Sequence, residues 1–231
     1  MSELIKYQRE LRNSWLNRNS AEDEKRNSWL NRSVKEEPNC LKLYWKDRSK
    51  NRKELIKIIS DLAKEFLNPS ILEYGAWCGV NLKLLKKKWE LYAVEPNKDA
   101  YEFLTRKLKR VKALQGEDEI FCKTDFPGRH INISFINAVF YSMAHYRVKR
   151  VLRKLCRISD FIVIGNQIEN IGGGETKLME LEDMTGGIYK SLCHPFKKML
   201  NEFSFKIINI KKVPWSCLAL TGFIIANKKN E

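Results

Sequence analysis

The sequence SILEYGAWCGVNLKLLKKKWELYAVEPN, at residues 70–97, carries the pattern that is most informative about the fold. It begins with a short apolar run, passes through a turn that contains Gly75 and Gly79, and enters a helical pattern of leucines. A second apolar run ends at Glu95. Two strands separated by a glycine turn and a helix are typical of a doubly wound α/β fold, because parallel strands need a crossover connection.

The same alternation of strand and helix continues along the chain. Apolar runs predict further strands at residues 111–114, 131–139, 160–165, 205–213 and 217–226. Helical spacing predicts helices at residues 99–109, 147–157 and about 189–203. Only three residues separate the last two strands, which predicts an antiparallel pair. We therefore expect an α/β, doubly wound, seven-stranded and mostly parallel sheet with an antiparallel last strand.

Residues 1–69 differ from the rest in being polar and charged, and we interpret them as a helical, basic extension to a Rossmann-like domain over residues 70–231. The heptapeptide RNSWLNR occurs twice in this extension, at residues 12–18 and 26–32. On a continuous helix, a period of two heptads places both tryptophans on nearly one face. The repeat is either an amphipathic segment that caps the domain, which we prefer, or a surface that stacks on a partner.

Composition limits the class of protein. The chain has 231 residues, with 43% hydrophobic and 31% charged residues, which excludes a wholly disordered chain and a membrane bundle. Residues 218–226, the longest apolar stretch, are too few to span a bilayer, and no export signal opens the sequence. We expect a cytoplasmic protein with no membrane partner. The net charge of +15 is compatible with a polyanionic partner or with a lysine-rich surface.

The cysteines do not predict a metal site. Six of them are spread along the chain without a C-x-x-C pair, and the one cysteine beside a histidine is Cys193, next to His194. Adjacent residues rarely bind one tetrahedral ion together. We expect reduced and mostly buried thiols.

The turn after the first strand narrows the choice of ligand. Its glycines let a ligand approach the backbone, and a carboxylate at Glu95 can accept both ribose hydroxyls of a nucleoside cofactor. A dinucleotide needs the pattern G-x-G-x-x-G, but this chain has Trp77 and Val80 at the second and third glycine positions. S-adenosylmethionine carries no pyrophosphate, so the sequence favours it over NAD.

These residues carry a family resemblance. Residues 71–85 resemble the first motif of class I S-adenosylmethionine-dependent methyltransferases, and AVEPN at residues 93–97 resembles the second. The resemblance covers residues 70–228, and within the class residues 140–165 are similar to small-molecule methylases, including those of bacterial sugar-biosynthesis clusters. The chain departs from the family at Trp77, where a glycine or a small polar residue is usual.

The resemblance implies a cofactor site at the strand ends and in the turns that follow them. The implied residues are Glu73, Gly75, Gly79, Glu95, Pro96, Glu117, Asp118 and Asn137. In this family pattern, Gly75 and Gly79 line the methionine end of the cofactor, and Glu73 organises the turn.

The remaining implied contacts are with the nucleoside. Glu95 would hold the ribose, and Pro96 would lie beside the adenine. Glu117 and Asp118 occupy the place where the family uses an acid to accept the adenine amino group; the alternative is a solvated acidic loop.

A catalytic base is needed only if the methyl acceptor carries a proton that must leave. The candidates are His145, which follows the fourth strand as a histidine does in similar methylases, and His194. Each is also open to interpretation as a hydrogen-bonded structural histidine. The sequence NAVF at residues 137–140 replaces the N-P-P-Y or D-P-P-Y motif, which disfavours methylation of adenine N6 and of glutamine amides.

Three functions remain open. The first, which we prefer, is methylation of an O or N atom of a small molecule, and the second is RNA methylation. An RNA surface would use the RNSWLNR repeat, residues 86–88 and the basic positions of the helix at residues 147–157, which carry no acid between them. The third is a binding module without catalysis. A loop at residues 167–188 with five glycines is either a lid or an irregular excursion.

Overall fold

A mixed β-sheet with helices on both faces forms the part of the chain that the structure describes. This computed structural model describes Trp45 and residues 50–182, 188–213 and 221–229. The RNSWLNR repeat and the turn between the last two strands lie outside these residues. In chain order the described strands are β1 (Ser70–Tyr74), β2 (Glu90–Glu95), β3 (Val111–Gln115), β4 (Ile131–Asn137), β5 (Ser159–Gln167), β6 (Lys177–Glu182), β7 (Ile188–Cys193), β8 (Phe205–Lys212) and β9 (Thr221–Lys228).

Seven of these strands form one sheet in the order β3-β2-β1-β4-β5-β9-β8. The first five are parallel to one another, whereas β9 is antiparallel to both β5 and β8. This confirms the predicted sheet with its antiparallel end. The chain leaves β1 toward β2 and β3 on one side, and β4 lies on the other side of β1. Such a reversal of strand order opens a crevice at the carboxyl ends of the strands.

The described helices divide evenly between the two faces of the sheet. They are α1 (Lys50–Leu62), α2 (Val80–Leu84), α3 (Lys98–Lys107), α4 (Asp118–Lys123), α5 (His145–Ile158) and α6 (Phe196–Glu202). Residues of α1, α2 and α3 share one buried apolar cluster, and residues of α4, α5 and α6 share another. Helix α1 therefore contributes to the core of the sheet domain, although the sequence places it in the extension.

Burial of β1 explains why apolar side chains on this strand do not alternate with exposed ones. All five of its residues are buried, with Ile71 in the α1 side cluster and Leu72 in the α5 side cluster. A central parallel strand covered on both faces needs apolar side chains on both faces.

Two predictions near the fifth strand are wrong. Residues 167–188 are not a single irregular loop, because β6 lies within them and pairs with β7 in a separate two-stranded antiparallel sheet. The predicted helix at residues 189–203 is a strand up to Cys193 and a helix only from Phe196. Pairing with β6 supplies backbone hydrogen bonds that local helical spacing cannot reveal, and Pro195 stands at the N-cap of the shortened helix.

Within the described residues, no helix is long and apolar enough to cross a membrane. Four cysteines fall in this part of the chain, and all four are free thiols: Cys78, Cys122, Cys156 and Cys193. Three of the four, Cys78, Cys156 and Cys193, are buried, and Cys78 and Cys156 pack within apolar clusters.

Candidate functional site

The candidate site lies at the edge of the sheet where β1, β2, β4 and β5 end. Parallel strands place their carboxyl ends at the same edge, and β1 and β4 are neighbours there. The residues that follow these strands include most of those singled out in the sequence. The connections after the strands therefore supply the side chains of the site.

The turn after β1 requires glycine at its first position. Gly75 has a φ of 75°, in the left-handed region, and its N–H donates to the carbonyl of Val94 at 2.8 Å. A Cβ atom at Gly75 would lie 2.4 Å from Cγ2 of Val139, which follows β4. The turn after β1 and the segment after β4 are thus in close contact.

Trp77 keeps the backbone conformation that glycine ordinarily supplies in this turn. Its φ is 48°, and its backbone N–H donates to Oε2 of Glu95 at 2.6 Å. The indole packs against the buried group formed by Cys78, Val80, Ala100 and Phe103. Its own N–H finds no hydrogen-bond acceptor among the described residues. Trp77 therefore departs from the family pattern in its side chain while preserving the left-handed turn.

Glu95 is held rigidly at the end of β2. The residue is 2% exposed, and besides the N–H of Trp77 its carboxylate accepts the backbone N–H of Asn97 at 2.8 Å. Asn97 caps α3, since its side chain accepts the N–H of Ala100 at 2.9 Å. Two backbone donors and a capped helix thus fix the orientation of this carboxylate.

Glu73 lies buried near the end of β1. Its Oε1 accepts from the amide of Asn81 at 2.6 Å, and the oxygen of that amide accepts from Nε of Arg52 at 2.9 Å. Its Oε2 is buried and finds no donor among the described residues. Burial raises the pKa of Glu73 to about 8. The side chain is therefore mostly protonated at neutral pH.

Replacing Glu73 with glutamine is expected to remove a pH dependence of stability. The native pKa near 8 lies above the ordinary value of 4.5, so the native state binds more protons and the free energy of unfolding falls as pH rises between these values. Glutamine does not titrate and can still accept from Asn81. The variant should be more stable than wild type at pH 9 by an amount on the order of a few kcal/mol.

Urea denaturation of the chain at several pH values from about 5 to about 9, without added ligand, measures this effect. Most of the expected change in stability falls within this range. Glu65→Gln, which changes an exposed carboxylate, is the matched control and should retain the wild-type slope. Equal slopes in Glu73→Gln and wild type would contradict the assignment.

Gly79 and Pro96 complete the turns after β1 and β2. Gly79 precedes α2 with a φ of 77°, and a Cβ atom there would lie 2.9 Å from Cγ of Leu104 in α3. Gly79 thus lets α3 pack closely against the turn. Pro96 is partly buried and directly follows Glu95.

The two acids after β3 have different surroundings. Glu117 is the N-cap residue of α4 and is partly exposed, whereas Asp118 is the first residue of that helix and is 1% exposed. One oxygen of Asp118 accepts from Arg147, with a distance of 2.8 Å to Nε, and the other accepts from Arg150. The alternative of a solvated acidic loop is therefore wrong, because α4 forms here and Asp118 is buried in an ion-pair network.

The same network corrects the interpretation of α5 as a helix without opposing charges. Arg147 is also buried and donates to Oε2 of Glu117 at 3.1 Å. Lys149 forms an ion pair with Glu202 of α6 at 2.5 Å. Buried Lys154 donates to two backbone carbonyls, one of them that of Thr124 at 2.7 Å. The opposing groups come from α4, α6 and the backbone, so of the basic residues in this helix only Arg153 and Arg157 are exposed.

Asn137 ends β4 at the edge of the site. A Cβ atom on Gly165, its neighbour in β5, would lie 2.4 Å from Oδ1 of Asn137. That oxygen is buried and finds no donor among the described residues. The next residue, Ala138, has a φ of 56°, and its N–H donates to the carbonyl of Gly165 at 2.9 Å. A left-handed residue thus turns the chain sharply from β4 toward the histidines.

The two candidate histidines lie together and are joined by a third residue. His145 opens α5, and His194 lies between β7 and α6, with their ring centroids 6.2 Å apart. Oγ1 of Thr176 lies 2.6 Å from Nδ1 of His145 and 3.0 Å from Nδ1 of His194. Nε2 of His194 lies 2.9 Å from the carbonyl oxygen of Phe140.

The two histidines differ in how far their side chains are buried. His145 is partly exposed, and partial burial together with nearby Lys149 lowers its pKa. His194 is fully buried, and this burial lowers its pKa to about 4. Both rings are therefore neutral at neutral pH, and of the two only His145 is accessible to solvent.

Thr176 could not be identified as a site residue from the sequence, because nothing in the residues around it indicates a contact with a histidine. It stands one residue before β6 and reaches both histidines only through the β6–β7 hairpin. Among the described residues, no group of three or more histidine, cysteine, aspartate and glutamate side chains is placed to hold a metal ion.

Comparison with known proteins gives similarity in structure but not in sequence. No protein-family model matches the chain, and no curated protein matches it. The magnesium protoporphyrin IX methyltransferase of Synechocystis PCC 6803, solved with bound S-adenosylmethionine, is similar with a TM-score of 0.62 and 8% identity; the alignment covers 87% of this chain and 94% of that protein.

Two further solved structures agree in fold. The CcbJ methyltransferase of Streptomyces caelestis has a TM-score of 0.59 and 12% identity, over 82% of this chain and 96% of that one. A protein of Pyrococcus horikoshii, assigned by inference as an RNA methyltransferase, has a TM-score of 0.55 and 16% identity, over 81% and 90% of the two chains. The described chain therefore has the fold of class I S-adenosylmethionine-dependent methyltransferases.

Proposed function

We propose that this chain is an S-adenosylmethionine-dependent methyltransferase that acts on a small-molecule acceptor. The observation that carries the proposal is the buried carboxylate of Glu95, fixed at the end of β2 by the backbone of the turn after β1. The fold and the crevice at the switch in strand order support the same function.

The residues of this turn fit the proposed cofactor. A nucleoside needs an acceptor for its ribose hydroxyls, and Glu95 offers an oriented carboxylate. The buried Oε2 of Glu73 accepts no hydrogen bond from the described residues. Trp77 does not oppose this fit, because its ring packs against the group of Cys78, Val80, Ala100 and Phe103.

In the proposed complex each residue has a separate task. Glu95 would hold the ribose, Pro96 and the partly exposed Glu117 would lie beside the adenine, and Gly75 and Gly79 would line the methionine end. When bound, S-adenosylmethionine supplies a methyl group activated by its sulfonium. The chain itself orients the acceptor and removes water, which can supply much of the rate enhancement of a displacement.

His145 is the residue that we assign as the base for an acceptor that must lose a proton. It lies at the carboxyl edge of the sheet, is neutral at neutral pH and is partly exposed. His194 has both ring nitrogens in hydrogen bonds and no exposed surface, so we assign it a supporting role. The acceptor is then a hydroxyl or an amine whose proton a neutral imidazole can take.

The distribution of charge favours a small acceptor over RNA. Most of the basic side chains of α5 are paired with acids or backbone carbonyls of the domain itself. The exposed lysines at residues 86–88 lie between α2 and β2, at the edge of the sheet where β2 begins. The site lies at the opposite edge, so these lysines cannot guide a polyanion into it.

The proposal is tested by offering methyl-labelled S-adenosylmethionine to the full chain together with fractions of a cell extract. Label should enter the dialysable small-molecule fraction. Label in the total RNA fraction instead would contradict the acceptor class while keeping the activity. A chain that binds no S-adenosylmethionine and transfers no label would be the non-catalytic binding module.

Replacing Glu95 with glutamine is expected to weaken binding of S-adenosylmethionine by about 10- to 100-fold, since hydrogen bonds to a charged acceptor contribute about 1.5–3 kcal/mol. Equilibrium dialysis with labelled S-adenosylmethionine measures the loss. Glu90→Gln is the matched control, because Glu90 starts the same strand at the opposite edge, where it pairs with Lys112. Equal affinities of the two variants would contradict the assignment of Glu95.

A further inference from the structure

The tautomers of the two histidines follow from their hydrogen bonds, starting at the buried end. A backbone carbonyl can only accept, so Nε2 of His194, 2.9 Å from the carbonyl oxygen of Phe140, carries a proton. Full burial keeps this ring neutral. Its Nδ1 therefore has no proton and accepts from the hydroxyl of Thr176 at 3.0 Å.

The hydroxyl of Thr176 has a single proton, and His194 receives it. At its other contact, 2.6 Å from Nδ1 of His145, the same oxygen must therefore accept. Nδ1 of His145 carries the donated proton. In a neutral ring the remaining nitrogen, Nε2, is then the one with a free lone pair.

We infer that Thr176 is a positioning residue, which holds His145 in the Nδ1–H tautomer and so leaves Nε2 of His145 to take the proton of the methyl acceptor. This inference rests on the proposed function for its chemical consequence, but the tautomer itself does not depend on it. Free histidine prefers the opposite tautomer, with the proton on Nε2. The contact with Thr176 is thus needed to expose the basic nitrogen.

Partial burial, and after it the charges around the ring, lower the pKa of His145 and keep it neutral, and neither uses the free nitrogen as a hydrogen-bond acceptor. Lys149 and Lys198 disfavour a charged ring, and Glu202 favours one. The carboxylate of Glu202 is itself paired with Lys149 at 2.5 Å, so its effect is partly compensated. No described residue donates a hydrogen bond to Nε2 of His145.

The proton balance of the reaction is simple in this arrangement. The acceptor's O–H or N–H proton passes to Nε2 of His145, and its electron pair forms the new bond to the methyl carbon. The pair of the broken carbon–sulfur bond stays on sulfur. His145 becomes an imidazolium that still donates from Nδ1 to Thr176, and it returns the proton to solvent from Nε2. His194 stays neutral throughout, because it is fully buried.

Thr176 is held in place by the base of the hairpin. The amide of Asn170 donates to the carbonyl of Glu175 at 2.6 Å and to that of Cys193 at 2.8 Å. These two carbonyls precede Thr176 and His194 directly in the chain. Asn170 therefore fixes the spacing between the threonine and the buried histidine.

Nitrogen-15 NMR of the full chain, labelled at histidine and observed at about pH 7.5, tests the inference because Nδ1–H and Nε2–H tautomers have distinct nitrogen shifts. Wild type should contain His145 as Nδ1–H and His194 as Nε2–H. His145→Asn and His130→Asn identify the signals by their loss.

Two variants of the threonine then separate hydrogen bonding from packing. Thr176→Val, which keeps the shape and loses the hydroxyl, should lose the Nδ1–H signature of His145. Thr176→Ser should retain it. An Nε2–H tautomer of His145 in wild type would overturn the inference, as would an unchanged tautomer in Thr176→Val.

Binding of S-adenosylmethionine is measured on the same samples and should be unchanged in both variants. Loss of the tautomer with normal binding supports the inference by itself. Absence of binding in wild type would instead refute the proposed function and leave the tautomer result standing.

Discussion

Replacing Asp118 with asparagine is expected to lower the free energy of unfolding by about 3–5 kcal/mol, since removal of one partner leaves a buried charge uncompensated. Asp118 and Arg147 are 1% and 7% exposed, and Arg150 shares the same carboxylate. These contacts join α4 to α5 on one face of the sheet. Thermal and urea denaturation monitored by circular dichroism measure the loss, which corresponds to a fall in Tm of roughly 10 °C.

The adjacent acid provides a matched control for this prediction. Glu119→Gln changes an exposed carboxylate on the same helix, whose partner Lys123 is also exposed, and should change stability by less than about 0.5 kcal/mol. The double variant Asp118→Asn with Arg147→Met should recover part of the loss, because it removes the buried charge left behind. An effect of Asp118→Asn no larger than that of the control would show that the pair is not buried in solution.

Replacing His145 with asparagine is expected to lower the rate of methyl transfer by about 10²–10⁴-fold, the usual contribution of a positioned general base. The residue lies at the carboxyl edge of the sheet, hydrogen-bonded to Thr176 on the ring nitrogen opposite the proposed base. The measurement is transfer of labelled methyl into the small-molecule fraction that wild type labels. Affinity for S-adenosylmethionine should not change, because His145 is not among the residues proposed to bind the cofactor.

His130→Asn is the control for this second prediction. His130 precedes β4 at the opposite edge of the sheet and pairs with Asp160 at 2.8 Å. Its replacement should leave the transfer rate within about twofold of wild type, as expected for a surface substitution far from the site. If His145→Asn transferred methyl as fast as His130→Asn, His145 would not be the base.

The fold could be predicted from the sequence because the central strands and the turn between them have local sequence patterns that identify them. The run 71–74 has apolar side chains on both faces, Ile71 on one and Leu72 and Tyr74 on the other, as a covered parallel strand requires. Gly75 marks the left-handed turn that follows it. The end of β2 at Glu95 could also be placed from the pattern alone. Because the connections between elements are short, the order of strands and helices could be predicted. The reversal of strand order then brings Gly75 and Glu95 to the same crevice.

The contacts that join distant parts of the chain could not be predicted. Thr176 reaches His145 across 31 residues, and Asp118 reaches Arg147 across 29. Each pair joins elements whose mutual placement depends on the whole sheet. The β6–β7 hairpin was missed for the same reason, since its pairing overrides a helical spacing that included Leu192 and Phe196.

The basic helix shows how far composition can mislead. The sequence of α5 contains six basic residues and no acid. This pattern favours a basic helix face that is either solvated or a docking surface for a polyanion. The acids lie instead at Glu117, Asp118 and Glu202, on neighbouring helices. Much of this charge therefore stabilises the fold and is not available to bind a partner.

Isothermal titration of S-adenosylhomocysteine into the full-length chain tests most directly the claim that the crevice beside Glu95 is a cofactor site. We predict saturable binding of one molecule per chain, at least 10-fold weaker in Glu95→Gln, as expected if hydrogen bonds to the charged carboxylate are lost. NAD, whose pyrophosphate has no glycine-lined backbone to rest on here, should give no heat. No heat from S-adenosylhomocysteine, with the chain folded by circular dichroism in the same sample, would contradict the claim.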